Sequence, residues 1–221
     1  MLLRTTVLAV LLSVALSLSG QERRILDKEA ALGARLAQDF KQEATMLESA
    51  AFSTYIERAG SRLSAQLGPN QPKYTFGLVA GEGFGRNPLH EAVSFPGGYI
   101  FVPANLVVAA TDEEEFVRII AHAMAHVAGS HQWLVPNQVT VPVIYMAGRF
   151  GLGGGDEMTP IGWRKAMHDR EVAADELAAQ MVAGLSAGPV TAPDEFLKMQ
   201  AEVRKLDPER VLRPPSLLNP H

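Results

Sequence analysis

No cysteine occurs among the 221 residues. That excludes disulfide frameworks, thiolate zinc sites and cysteine nucleophiles, so any metal must be held by His, Asp or Glu. No basic block interrupts the chain and the formal net charge is −4, which argues against nucleic acid as a partner. Internal repeats and low-complexity stretches are also missing. Charged residues make up 20% and hydrophobic residues 47%, the balance of a folded globular chain rather than a disordered one. This length suits one domain, which can bury about 70% of its unfolded surface and needs no covalent staples.

The N-terminal apolar run is short. Arg4 precedes Val7 to Leu18, which only Ser13 and Ser17 interrupt, and the small residues Ser19 and Gly20 come before the polar Gln21. The run is too short for a comfortable span and has the layout of an export signal. We expect residues 1–20 to be a signal peptide and 21–221 to be one exported domain, periplasmic or otherwise extracytoplasmic. An uncleaved anchor is the other reading and leaves membrane association open. Arg4 is the only charge in this segment, so its removal moves the formal charge from −4 to −5.

Residues 24 to 67 carry helical spacing in two blocks. Leu32, Leu36 and Phe40 line one face, and Phe52, Ile56, Ala59, Leu63 and Leu67 another. Tyr74–Ala80, Ala92–Phe95 and Tyr99–Val102 read as strands, the last two separated by the turn residues Pro96, Gly97 and Gly98. Pro103–Ala110 fits a short helix. Thr111 and Glu114 have capping-box spacing, and the acidic run Asp112–Glu115 suits a helix start. From there an apolar pattern predicts a helix to about Ser130. Trp133–Gly155 reads as a packed segment ending in a glycine-rich loop. Further helices are predicted over Ile161–Leu185 and Asp194–Leu206. The Gly153–Gly155 run lacks a following Lys-Ser/Thr and is no phosphate loop, which leaves simple flexibility or a hinge beside a cleft.

The chemistry lies in two of these helices. His122 and His126 are four apart, so both imidazoles project from one face, the spacing by which one helix offers two ligands to tetrahedral zinc. The surrounding residues are apolar, Ile119 to Ala121 and Ala123 to Ala125 included, and histidines in such a stretch need partners. Glu171 could supply the third ligand. Asp175, one turn on, could accept the outer N–H of a ligating histidine and fix its orientation. Two His, one Glu and one open position is the catalytic rather than the structural zinc pattern. A water at the open position is made acidic enough to be a nucleophile near neutral pH. An isolated His-x-x-x-His pair is a weak signal; joined to Glu-x-x-Ala-Asp it is strong.

With these residues the chain resembles the HtpX-like and CAAX-prenyl-protease-like metalloendopeptidases, the forty-eighth metallopeptidase family, within the gluzincins. The resemblance begins near Ile25–Glu29, where relatives have a glutamate-x-x-x-glycine helix, and takes in Phe95–Val102, Glu115–Phe116, Ala121–Val127 and Glu171–Asp175. It implies an α+β, zincin-like fold, helix-rich with a small mixed sheet, and the two metal-bearing helices crossing beneath the cleft. It also implies one zinc ion on His122, His126 and Glu171, with Asp175 behind them. Extended protein or peptide substrate would pair along Val93, Ser94 and Phe95.

The departures matter as much. The family motif is His-Glu-x-x-His, and Ala123 stands where the glutamate belongs. That glutamate is the general base that takes a proton from the attacking water and passes it to the leaving amine, work worth about 10²–10⁴-fold in rate. Glu113 to Glu115 lie about two turns or more from His122 and cannot stand in. Ala123 fits either a natural pseudoprotease or a replacement introduced to trap an inactive form. Met167 and His168 stand where relatives have Ser-Arg, Glu176 where many have Arg, and Glu91–Ser94 where relatives have Asn-Ala-Phe-Ala. His168, three before Glu171, is a candidate oxyanion stabiliser, and the terminal His221 a candidate further ligand. His131 and His90 read as surface and loop residues.

Two function classes follow. One is a zinc metalloendopeptidase fold whose hydrolysis is impaired by Ala123. The other is a non-enzymatic, zinc-stabilised binder or chaperone that takes extended polypeptide along the Val93–Phe95 edge by strand addition. Substrate identity and oligomeric state leave no trace in the sequence.

Overall fold

In the computed structural model, residues 27–69, 71–81, 91–129, 134–135, 138–139, 161–185, 190–192 and 194–206 are described. The first helix, α1 (residues 27–43), leads into strand β1 (Met46–Leu47) and helix α2 (Ala50–Ser64). Strands β2 (Thr75–Val79), β3 (Val93–Phe95) and β4 (Tyr99–Pro103) follow, then helices α3 (Ala104–Ala109) and α4 (Glu113–Ala128). After a small antiparallel ladder of β5 (Leu134–Val135) and β6 (Gln138–Val139) come the long helix α5 (Ile161–Gly184) and α6 (Glu195–Leu206). The α+β expectation holds, and the helix limits fall close to those read from periodicity. Strand β1 was missed, because two residues carry no period. The packing expected of Trp133–Gly155 lies outside the described residues, apart from the β5–β6 backbone ladder.

The main sheet has the order β1-β2-β4-β3 and is mixed: β2 runs parallel to β4, and β1 and β3 run antiparallel to their neighbours. Alternation along the strands sends side chains to two faces. Leu78, Ile100 and Val102 enter the larger core with α2, α4, α5 and α6. Val79, Val93, Phe95 and Phe101 enter a second core beneath α1. There Phe40 of α1 meets Phe101 and Phe95 at ring-centroid distances of 4.5 and 5.6 Å. On the other face, Tyr55, Phe116 and Phe196 form a triangle with sides of 5.8–5.9 Å that joins α2, α4 and α6.

Local chemistry sets the helix starts. The Ser49 hydroxyl accepts from the Phe52 amide at 3.1 Å and caps α2. At α4 the cap falls one residue later than the Thr111–Glu114 spacing predicts. Asp112 has extended backbone, and its carboxylate accepts from Glu115 N–H at 2.8 Å. Glu115 reaches back to the Thr111 amide and hydroxyl, both at 2.7 Å, and these bonds lower its pKa. Thr and Asp are both good caps, and spacing alone cannot choose between adjacent ones.

The β3–β4 turn needs glycine. Gly97 and Gly98 have φ of 79° and 96°, and the Gly98 carbonyl accepts from Thr75 N–H at 2.7 Å where β2 begins beside β4. Helix α1 lies directly on this turn, since a Cβ on Gly33 would sit 1.6 Å from the Pro96 carbonyl oxygen. We therefore expect Gly33→Ala to destabilise the protein by about 1–3 kcal/mol in urea titration. The gain of about 1 kcal/mol that Ala usually brings to a helix will not offset a clash with backbone. Wild-type stability in that variant would show that α1 does not pack as described.

Candidate metal centre

Helix α4 is apolar on most of its circumference, with Phe116, Val117, Ile120, Ala121, Met124, Ala125 and Val127 buried. It packs on β3 and along α5. The residues left facing outward near its end are His122 and His126, whose side chains are 27% and 22% exposed. Their Nε2 atoms lie 2.9 Å apart. The Glu171 carboxylate arrives from α5, and its Oε2 is 3.4 Å from each Nε2. Asp175, one turn further along α5, places Oδ1 2.9 Å from His122 Nδ1.

These distances fit a zinc ion. Nitrogen and oxygen ligands about 2.0–2.1 Å from a tetrahedral zinc lie about 3.4 Å from one another. Two sides of the donor triangle have that length, and the His–His side is about half an ångström shorter. Asp175 holds the outer ring proton of His122 on Nδ1, which turns the Nε2 lone pair toward the centre. His126 has its pKa lowered, first by burial and then by the charge of His122, against the raising effect of Glu171. The neutral imidazole that results is the form that ligates metal.

The four residues singled out in the sequence for this centre are thus brought together. Ala123 is buried at 2% exposure in the core beneath them, and among the described residues no further carboxylate joins the group. Val93, Ser94 and Phe95 form strand β3, at one end of the sheet order. Val93 and Phe95 point into the α1 core, and Ser94 is half-buried on the opposite side. His168 is exposed on α5 and is not part of the His122–His126–Glu171 group. His90, His131, His221, the Gly153–Gly155 run and the proposed signal peptide lie outside the described residues. The acidic run Asp112–Glu115 suggests only a helix-dipole role for Glu113. In the fold its carboxylate also meets Tyr55 and the segment after α5.

Two histidines on one helix and a carboxylate on a second, antiparallel helix, beside a small mixed sheet, define a metallopeptidase-type domain. The chain belongs to peptidase family M48, whose family model matches residues 50–221. It is also similar to a putative beta-barrel assembly-enhancing protease of Vibrio cholerae serotype O1, with 26% identity over 106 residues. That match covers 48% of this chain and 21% of the relative, so the chain spans about a fifth of the relative's length.

Elemental analysis of the purified chain should find about one zinc per molecule, lost in a His122→Ala/His126→Ala double variant. Equal metal in both would remove these residues from the site. The metal-free protein should also lose stability on acidification. The folded-state pKa of His126 lies below its unfolded value of about 6.5, so the unfolded chain takes up the proton first. The contribution is full above about pH 6.5 and falls as pH drops through the folded pKa. Melting of wild type and His126→Asn at pH 8 and pH 5.5 checks this; identical pH dependence in the two would refute it.

Proposed function

We propose that this chain is an exported M48 peptidase-type domain that binds one zinc ion and extended polypeptide, with hydrolysis strongly impaired by Ala123. The donor triangle of His122, His126 and Glu171 carries this reading, because two of its sides match the donor separation of a tetrahedral zinc site and the His–His side is about half an ångström shorter. When bound, zinc supplies a Lewis acid that polarises a peptide carbonyl and acidifies water.

The chain's own residues do the rest. Glu171 brings negative charge to the cation, and Asp175 fixes the ring of His122. Strand β3 offers an edge for a polypeptide to join as a further strand, with main-chain hydrogen bonds supplying affinity. Among the described residues no strand pairs with its outer side. Substrate laid there would run beside α4, which packs on β3 and carries the histidines. Proton transfer is the missing function. Ala123 has no group to receive a proton from water or deliver one to the leaving amine, and Glu171 and Asp175 are engaged with the histidines.

The export-signal layout of residues 1–20 supports an extracytoplasmic location for the domain. The Vibrio relative is named for enhancing beta-barrel assembly, which favours substrates or clients among extracytoplasmic or membrane-associated proteins. Among the described residues no helix is long and apolar enough to cross a membrane.

Restoring the base is the direct test. Zinc-loaded Ala123→Glu should cleave an unfolded protein such as casein about 10²–10⁴-fold faster than the chain as it stands, and a chelator should abolish the gain. A folded, zinc-loaded variant that cleaves nothing would sink the peptidase-cleft reading and favour a binder.

A further inference from the structure

Helices α4 and α5 run in opposite directions. Glu171 and Asp175 of α5 meet His122 and His126 of α4, while the start of α4 meets Val190 and Thr191, six and seven residues past Gly184 at the end of α5. At that far end Glu113 gathers four donors. Its carboxylate accepts from the Thr191 hydroxyl at 2.7 Å, the Thr191 amide at 3.0 Å, the Val190 amide at 3.2 Å and the Tyr55 hydroxyl at 3.1 Å. From the other side the Arg62 guanidinium donates to the Val190 carbonyl at 2.6 Å. The segment leaving α5 is thereby gripped through its amides, a carbonyl and one buried hydroxyl.

Among the described residues, α5 and the residue after it bury Ala174, Ala178 and Met181 and set Leu177, Val182 and Leu185 half-buried against the same core. A slide of one residue's rise, about 1.5 Å, is nearly half of the 3.4 Å separations at the metal centre. Directional bonds fix a register more sharply than apolar contacts do: Asp175 makes one to His122 at the metal centre, and the half-buried Glu113 carboxylate gathers a set at the far end.

We propose that Glu113 is a positioning residue: by clasping Val190 and Thr191 it sets the register of α5 on α4, and so holds Glu171 beside His122 and His126. This rests on the zinc reading above. The clasp lies nine residues before His122, about 14 Å along the helix, and touches no ligand.

Cobalt(II) loaded into the full chain tests the idea. It reports affinity by chelator competition and coordination geometry by visible absorption. Urea unfolding of the metal-free protein measures any purely structural effect. Glu113→Gln keeps the size of the side chain but loses the charge. It should weaken cobalt binding at least tenfold and change the absorption envelope of the folded protein. Thr191→Val removes one of the four bonds and should shift affinity a few-fold in the same direction. It carries the test if Glu113→Gln fails to fold. Arg58→Ala breaks the exposed pair of Arg58 with Glu195 nearby and should change neither readout. Wild-type affinity and spectrum in folded Glu113→Gln, or in folded Thr191→Val where only that variant folds, would overturn the proposal even if unfolding came earlier in urea. Failure of the wild-type chain to bind cobalt would overturn the zinc reading first and this proposal with it.

Discussion

A three-donor centre that takes two donors from one helix depends on where a second helix stops. The i,i+4 spacing of His122 and His126 makes their proximity a property of α4 alone. The 3.4 Å approach of Glu171 has no such local guarantee. It requires α5 to lie antiparallel on α4 at one register, and much of the fold serves that requirement. The mixed sheet supports α4 from below through β3. The Tyr55–Phe116–Phe196 cluster locks α2, α4 and α6 together at the end where α5 turns back. Asp175 then ties α5 to His122 a second time, by a bond that also selects the histidine tautomer.

What could be read from the sequence follows the same division between local and long-range information. His122 with His126, and Glu171 with Asp175, were legible because helical spacing is a short-range rule. So were β2, β3, β4 and the Pro96–Gly98 turn, whose alternation and glycines mark them. That the two pairs face each other came from family resemblance, since no periodicity reports the distance between residues 50 apart in sequence. The Thr111–Glu114 spacing points one residue before the Asp112 cap, because Thr is also a favoured cap residue. Glu113 looked like dipole-complementing charge in an acidic run, and only its partners Tyr55, Val190 and Thr191 distinguish it from Glu114 beside it. Strand β1 is too short to have a pattern, and exists because Met46 and Leu47 pair with Val79 and Leu78.

On the proposed reading, Ala123 separates ligand geometry from proton transfer. Ligand geometry is set by three side chains and their orienting partner, all present. Proton transfer needs one more carboxylate, and the position that would supply it is a methyl group within the core. Alanine at this position continues the small, buried series of Ala121 and Ala125 along α4. On the proposed reading, the architecture of the site is kept while its proton-transfer group is absent.

Helix α1 has a different kind of importance. The family match begins at residue 50, yet Leu36, Ala37 and Phe40 lie before it and cover the face of the sheet that carries Val79, Phe95 and Phe101. A fragment cut at the matched boundary would leave those aromatic rings in water, and with them the underside of β3. The working unit of this protein is therefore larger than the segment that the family model matches. An expression clone or a transplanted domain that begins at residue 50 would carry a sticky face of its own making.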